Sequence, residues 1–534
     1  MKKLKYIFTA ICMVSLLSGC YKDDSTSFQI PLADVTIASH DNIPFYVGTV
    51  SEYTPNITWG GTTKEDYDYK WTLNGREVIC TDLTLSYSFT TLGTQYLTFQ
   101  MIDKKTGLVY GKDFSVTVAA KYLLGWVILS EGSDQSSKLS FVEMDNFTCH
   151  PDIYGELYPE DPLGSKPYGL ANTCISKEDQ VMVLQEGGEG AVSLNGLSFQ
   201  KVSYLKHEFF GEEIPDDGSK PLHMLFSHRG AEMLIMDNGK MYDRQNEKGR
   251  TSGAFQDAMF STIPFTHCAG ETKFTNYTFP GDNLYYTPIY DELNRRWLAY
   301  HTTTSTQYSI PQFKVASGVT FTEGFNYCTG MAEDVELVYA QSYNGGSNYN
   351  LYLVNVLKRN GAYYVNSAKM ALTSSNYNIT ISDLTQKDFA TGYDINANSK
   401  FCMLRSLASA SKFKTDPHIF FNIDKKLYFY HYPTGLTYLY RDFSNEENAP
   451  AGDVVCITQR ADANQLGVTF SDGHFYVLDT DVTKLNAIRQ NNLDPENKDN
   501  GLVLAHISNI PGTPVATMFK HGKASNWTGS TVKL

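Results

Sequence analysis

The chain lacks most of the short patterns that organise catalysis. It has no His-Glu-x-x-His, no Cys-x-x-Cys, no Gly-x-Ser-x-Gly elbow, no phosphate-cradling P-loop and no dinucleotide fingerprint, so zinc-protease, dithiol-redox, serine-hydrolase and nucleotide chemistry have no motif to rest on. Segments with apolar residues at helical spacing are scarce. One apolar run stands out, Tyr6 to Leu17; its roughly 12 residues fall short of the roughly 20 that span a bilayer as a helix. Basic residues are also in deficit, 44 Lys and Arg against 58 Asp and Glu for a net charge of −14. Phosphate backbones demand clustered cations, so nucleic acid is excluded as a partner.

Aromatic residues are abundant. Tyr (36) and Phe (30) recur in short runs mixed with Val, Thr and Leu, which is strand chemistry. Gly, Asn-Gly and Asp-Gly punctuation recurs throughout, so the chain reads as all-β. At 534 residues it exceeds one ordinary compact domain, and two domains are expected.

Before the apolar run lie Lys2, Lys3 and Lys5, and after it Ser18 and Gly19 precede Cys20. These are the three regions of a secretory signal, and the site resembles that of bacterial lipoproteins. The resemblance implies a signal peptide at 1–19, removed so that Cys20 becomes the first residue and carries acyl chains as an outer-membrane lipid anchor. Two chains suffice for stable anchoring. Lys22-Asp23-Asp24 resembles the export signal of surface lipoproteins of the Bacteroidetes, which implies that the protein faces the cell exterior. Residues 20–30 read as a tether with no apolar face to bury. Beyond Cys12 and Cys20, seven cysteines remain. They are widely spaced and odd in number, so a disulfide framework is not expected and most should be small buried hydrophobes.

Residues 31–120 carry clear strand signals. Tyr67, Tyr69, Trp71 and Leu73 alternate with Asp68, Lys70 and Thr72, as period-two geometry requires. Asn74-Gly75 then supplies a hairpin turn. Leu97, Phe99 and Met101 form a second alternation, and Phe114, Val116 and Val118 a third. The Tyr-x-Trp-x-x-Asn-Gly hairpin, the strand around Gly93, Tyr96 and Phe99, and the terminal Phe-x-Val-x-Val resemble a PKD-type β-sandwich. Trp71 is expected in its core rather than as a ligand platform. The calcium-binding Asp residues of commoner members are missing, so no metal is carried over.

At Lys121-Tyr122-Leu123-Leu124-Gly125-Trp126 the pattern changes to continuous apolar runs. Residues 121–534 show a weak repeat of apolar strand, Asp-led turn and aromatic strand, clearest at Ile235–Tyr242, Asn422–Tyr428 and Thr469–Tyr476. Degenerate copies fall at Lys138–Val142, Arg296–Tyr300 and Asn350–Val354. Asp424 and Asp472 are 48 residues apart, and the 187 from Asp237 to Asp424 is close to four such units. Four-stranded propeller blades have periods of about 40 to 50 residues, so a β-propeller of about seven blades is expected, with six or eight open. Two further sandwiches would leave the period unexplained. Thr513–Phe519 should close the ring against Gly125–Leu129.

Taken together, these features resemble the PKD-like family of Bacteroidetes lipoproteins. The resemblance implies an accessory component of a starch-utilisation-like nutrient uptake system, partnered by a TonB-dependent transporter and a glycan or oligopeptide ligand. Residues alone also allow a surface adhesion or scaffolding protein, or a propeller hydrolase. No catalytic constellation, metal site or cofactor is read from them. His223 and His228 share no face of a helix or strand. Asp394-Ile395-Asn396-Ala397-Asn398-Ser399 imitates the opening of a calcium loop, yet its sixth residue is Ser and the twelfth is Arg405; a turn is the better reading. Glu212, Glu213, Asp216 and Asp217 sit in a Gly- and Pro-bearing loop with no apolar setting. Candidate binding loops are Asn146–Lys166 with Tyr154 and Tyr158, Lys206–Pro221 with Phe209 and Phe210, and Gln341–Asn350 with Tyr343 and Tyr349.

Overall fold

Alternation of buried and exposed side chains along Tyr67–Leu73, Gly93–Asp103 and Val109–Ala119 builds the first unit. The computed structural model describes residues 34–38, 45–173, 180–211, 213–215, 218–226, 231–245, 259–265, 270–276, 286–301, 313–347, 350–372, 378–404, 417–460 and 462–520. The chain divides between Ala120 and Lys121 into two compact units. In the first, one five-stranded sheet runs in the order Phe45–Tyr46, Val109–Ala119, Gly93–Asp103, Tyr67–Leu73, Glu77–Cys80, and Val50–Tyr53 pairs with Leu85–Ser88. Asn74 and Gly75 take φ of 51° and 69°, the left-handed pair that a two-residue hairpin needs. Trp71 is fully buried, its ring 4.5 Å from that of Phe99, and its Nε1 donates to the Asp82 carbonyl at 3.1 Å. It is a core residue, as expected.

The second unit is a β-propeller of seven sheets among the described residues. From the inside outwards, blade 1 comprises Thr513–Lys520, Gly125–Glu131, Ser137–Glu143 and Cys149–His150. Blade 2 comprises Pro167–Thr173, Gln180–Gln185, Val192–Asn195 and Lys201–Tyr204. Blade 3 has Pro221–Phe226, Ala231–Met236 and Met241–Gln245; blade 4 has Phe274–Thr275, Tyr286–Asp291 and Arg296–His301. Blade 5 is the longest, with Val335–Ser347, Asn350–Arg359, Ala362–Leu372 and Ile379–Asp388, and Phe313–Val315 lies parallel along its outer edge. Blade 6 comprises Phe401–Met403, His418–Ile423, Lys426–His431 and Leu436–Asp442. Blade 7 comprises Val454–Gln459, Gln465–Phe470, Phe475–Asp479 and Val503–Ile507.

Each sheet buries both faces, which explains the continuous apolar strands. On the second strand of blade 1, Val127 and Leu129 pack with Val181 and Val183 of blade 2, while Trp126 and Ile128 pack with Phe475 and Val477 of blade 7. The same division recurs round the ring. Met182 and Leu184 meet Leu234 and Met236; Met233 and Ile235 meet Ile289 and Leu298; Trp297 and Ala299 meet Leu353 and Met370. Val354 and Val356 meet Ile419 and Phe421, and Phe420 and Phe429 meet Leu466 and Val468. Seven cores thus lie between successive blades in a closed cycle. Tyrosine hydroxyls cross the same gaps: Tyr286 donates to the Met370 carbonyl at 2.9 Å, Tyr430 to Asp388 at 3.0 Å and Tyr440 to Asp479 at 2.6 Å. Much of the aromatic content serves this purpose, giving bulk in the gap and a polar tip that finds a carbonyl.

The ring closes as expected. Thr513–Lys520 pairs antiparallel with Gly125–Glu131, Trp126 opposite Phe519 and Val127 opposite Met518. It also lies against the inner strands of blades 2 and 7. The repeat is longer between Asp237 and Asp424 than the expected period of 48 residues. Asp237 is in blade 3 and Asp424 in blade 6, so the 187 residues between them cover three steps rather than four. The added length lies in blades 4 to 6, where the long strands of blade 5 and the segment around Phe313–Val315 enlarge the repeat. Of the seven remaining cysteines, Cys328 and Cys402 are buried, and no disulfide joins Cys80, Cys149, Cys328 and Cys456; Cys174 and Cys268 lie outside the described residues.

Two outcomes follow from closure and packing. Ending the chain at Pro511 removes the inner strand of blade 1, and the cooperative melting of the second unit should be lost; an unchanged calorimetric profile would refute strand closure. Gly467 sits where a Cβ would come within 2.8 Å of Trp126 and 2.9 Å of Phe475. Gly467→Val should therefore destabilise the second unit by about 1–3 kcal/mol or more, measured by denaturant unfolding.

Candidate functional site

The Asp-led turns have a second role besides reversing the chain. Each joins the second and third strands of a blade, and its side chain holds the start of that blade's inner strand. In blade 3, Asp237 accepts the Lys220 N–H at 3.1 Å and donates its own N–H to the Lys220 carbonyl at 2.9 Å. In blade 4, Asp291 accepts the Lys273 N–H at 3.2 Å, and Glu292 N–H donates to the Lys273 carbonyl at 2.7 Å. In blade 6, Asn422 accepts the Lys400 N–H at 2.7 Å. In blade 7, Asp472 accepts the N–H groups of Ala451 and Gly452, and Ser471 Oγ accepts that of Asp453. Blade 5 uses a charged version, Arg359 Nε donating to Asp334 Oδ2 at 2.7 Å. Blade 2 uses backbone alone, Glu186 N–H to the Lys166 carbonyl at 3.2 Å.

This clamp gathers at one end of the propeller the residues that immediately precede the inner strands. They are Lys166, Lys220, Lys273 and Lys400 in blades 2, 3, 4 and 6, with Asp334 and Asp453 in blades 5 and 7. Four lysines thus precede inner strands at one end of the propeller on a chain that is acidic overall, interspersed with the two acids. Lys220 Nζ reaches across to Glu186 of blade 2 at 2.6 Å and lies 5.1 Å from the Tyr168 ring centre; Lys273 pairs with Glu292 at 2.9 Å. The Lys220 hydrogen bond and charge, aided by Lys166, hold the Glu186 carboxyl below its ordinary range. Such lysines bind anionic groups as mobile point charges. His223 stands two residues inside the inner strand that Lys220 precedes. Burial pulls its imidazole down to about 4, so it is neutral at physiological pH.

The lysines had a sequence signal that spacing arguments from the Asp turns did not use. Lys-Pro recurs at 166–167 and 220–221, and Lys-Phe at 273–274 and 400–401.

The loop aromatics singled out from sequence are mostly structural. Tyr154 is buried with its hydroxyl on the Asp161 carbonyl, Tyr158 donates to the Ser198 carbonyl, and Phe209 stacks on Phe260. Tyr343 is buried and stacked on Tyr352, ring centres 5.1 Å apart. Phe210 is 60% exposed. Asn396 accepts the Asn398 N–H at 2.8 Å, so Asp394–Ser399 is a side-chain-stabilised turn, as read. Glu213 is exposed in its loop. Cys20, Lys22, Asp23, Asp24, Glu212, Asp216, Asp217, His228, Tyr349 and Arg405 lie outside the described residues.

A buried pair of acids does exist, but an arginine separates it. Arg244 Nη2 lies 2.8 Å from Glu208 Oε2 and 2.5 Å from Glu232 Oε2, with its guanidinium 4.4 Å from the Phe260 ring centre. That geometry is an ion-pair clamp between blades 2 and 3, not an acid and base flanking a cleft. Among the described residues no three His, Cys, Asp or Glu side chains gather as metal ligands.

Comparison with known proteins adds the following. Residues 20–167 match the PKD-like family. The match spans the PKD-like unit and runs on through blade 1 to the first residue of blade 2. No curated protein matches the chain. Among solved structures, a quinonprotein alcohol dehydrogenase-like protein of Bacteroides thetaiotaomicron is 11% identical with a TM-score of 0.39, covering 89% of this chain and 96% of its own. A protein of unknown function from the same organism is 9% identical at a TM-score of 0.28, covering 84% of each. The β-propeller domain of Cps50 (Swd1) from Myceliophteria thermophila is 8% identical at 0.35, covering 66% of this chain and 89% of its own. At these scores the architecture rests on this chain's own sheet order rather than on the likeness.

Asp472 offers a pH test of the clamp. Burial opposes its charge, yet the Gly452 and Ala451 amides hold its carboxyl below the ordinary range. A depressed folded-state value contributes stability above the unfolded carboxylate range, about pH 4, which is lost as pH falls through the folded value. Asp472→Asn should thus melt lower than the parent at pH 7, and the difference should shrink below about pH 4. A gap in melting temperature that is constant with pH would show that the carboxylate charge does not hold the clamp.

Proposed function

We propose that the protein is a cell-surface lipoprotein, acylated at Cys20 and exported on Lys22-Asp23-Asp24, that serves as a non-catalytic binding or docking component of outer-membrane nutrient uptake. The observation that carries the binding role is the set of four lysines that the inner-strand starts of blades 2, 3, 4 and 6 bring to one end of the propeller. It offers cations on a closed, well-packed scaffold, where a binding surface loses little entropy on engagement. The ligand class that suits it is an acidic glycan or acidic oligopeptide. Processing at Cys20 rests on Lys2, Lys3 and Lys5, the apolar run Tyr6 to Leu17 and the small residues Ser18 and Gly19 that precede it. A TonB-dependent transporter is the partner that this role requires.

Protease accessibility, co-purification and ligand binding test the proposal. External protease should degrade the protein on intact cells, and full protection under an intact outer membrane would refute surface exposure. The lipidated protein should co-purify with a transporter from detergent-solubilised outer membrane and bind an acidic oligosaccharide or peptide library. Replacing Lys166 and Lys400 by Ala should weaken ligand binding several-fold and flatten its salt dependence, since exposed charges act through screened attraction. Turnover of the library instead of binding would favour a hydrolase.

A further inference from the structure

Blade 7 carries a second polar feature on the same end of the propeller, away from the channel. His474 closes the turn that contains Asp472, and His506 lies on the outer strand Val503–Ile507 directly opposite Tyr476. Because His474 and Tyr476 are two apart, both imidazoles project from one face of the sheet. His474 Nδ1 and His506 Nε2 approach to 2.9 Å. His506 is not a loose surface side chain: its ring stacks on Tyr476 with centres 4.1 Å apart and planes 6° from parallel. Tyr476 is itself fully buried, held between Phe443 and Phe470 with ring centres 4.8 and 5.8 Å away. One imidazole is therefore fixed by packing, and its partner is carried on a clamped turn.

We infer that His474 and His506 form a binding site for a divalent transition metal with tetragonal preference, of the copper(II) or nickel(II) class. Imidazole nitrogens bind such ions at about 2.0–2.1 Å. In the structure the two nitrogens share a hydrogen bond at 2.9 Å with ring centres 5.0 Å apart; with that separation kept and both lone pairs turned to a shared ion at this bond length, they subtend about 90°, the cis angle of square-planar and octahedral sites. A tetrahedral ion such as zinc would need a nitrogen separation of about 3.4 Å at the same bond length. The Asp472 carboxylate lies within electrostatic range of His506 and adds negative potential that favours a cation, whereas Glu446 nearby is paired with Arg441 at 2.5 Å. The remaining coordination positions open to solvent, since His506 is exposed; water or a ligand donor would fill them. This site is independent of the lysine-bearing mouth and stands or falls separately from it.

The test uses the full chain in detergent, stripped with chelator and titrated with nickel(II) chloride by calorimetry. Copper(II) chloride at sub-stoichiometric amounts is followed by electron paramagnetic resonance. The expected result is one site per chain whose copper spectrum shows two equatorial imidazole nitrogens. His474→Gln and His506→Gln should each weaken it at least tenfold, and the double variant should remove it while melting within a few degrees of the parent without metal. Should the variants fail to fold, mass-spectrometric mapping of diethylpyrocarbonate modification on the parent serves instead, with nickel protecting His474 and His506. Equal stoichiometry and affinity in parent and double variant, a single-nitrogen spectrum, or no protection would overturn the site and leave the pair as a hydrogen bond between two imidazoles.

Discussion

The clamp between the inner strand and the turn of the second hairpin, present in blades 2 to 7, is the interaction on which the propeller depends. An inner strand is bonded to its blade along one edge only, and its other edge faces the channel. Without a fixed start it could slide, and a slip of one residue would exchange the two faces that the interblade cores require. Asp237, Asp291, Asn422 and Asp472 prevent this by accepting the N–H that precedes the strand, while a nearby turn N–H returns a bond to the preceding carbonyl in blades 3, 4, 6 and 7. Each bond is modest, about 0.5–1.5 kcal/mol, and somewhat more where the acceptor is a carboxylate. Their value lies in register.

With register fixed, the seven cores become interdependent. Trp126 faces blade 7 and Val127 faces blade 2 from adjacent positions, so no blade can bury its apolar faces alone. This is why the chain must close, and why its last described strand pairs with the first strand after the unit boundary. Closure also covers the edge of Gly125–Glu131 with Thr513–Lys520, so that the remaining inner edge is short and lies at the channel like those of the other blades. The abundance of tyrosine follows from the same geometry, because an interblade gap that widens outward suits a large ring whose hydroxyl reaches a neighbouring carbonyl.

Much of the fold was legible because it depends on local chemistry. Period-two alternation around Trp71 marked a sandwich core, and the Asp-led turns at Asp237, Asp424 and Asp472 marked hairpins that do occupy equivalent places. Two things were not legible. Blade 2 turns on Gly187, Gly188 and Gly190, so it lacked the Asp that identified its neighbours. Insertions in blades 4 to 6 made three steps look like four, since spacing cannot separate a long blade from an extra one. The loop tyrosines misled for a different reason: Tyr154 and Tyr343 have the composition of a binding surface, but their contacts are interblade packing, which only tertiary neighbours reveal.

The lysine-bearing mouth shows why a binding surface on a repeat scaffold escapes motif reading. Lys166, Lys220 and Lys273 stand 54 and 53 residues apart, far beyond any local pattern, and each has an ordinary surface-lysine context in its own stretch of chain. Only the constraint that every inner strand starts at the same end brings them together. The same reasoning separates the two polar features of that end. The lysines are joined by the ring and so share whatever the channel mouth meets, whereas His474 and His506 are joined within one blade and would persist in any propeller that kept blade 7. Chemistry that depends on the ring and chemistry that depends on one sheet thus coexist on one face.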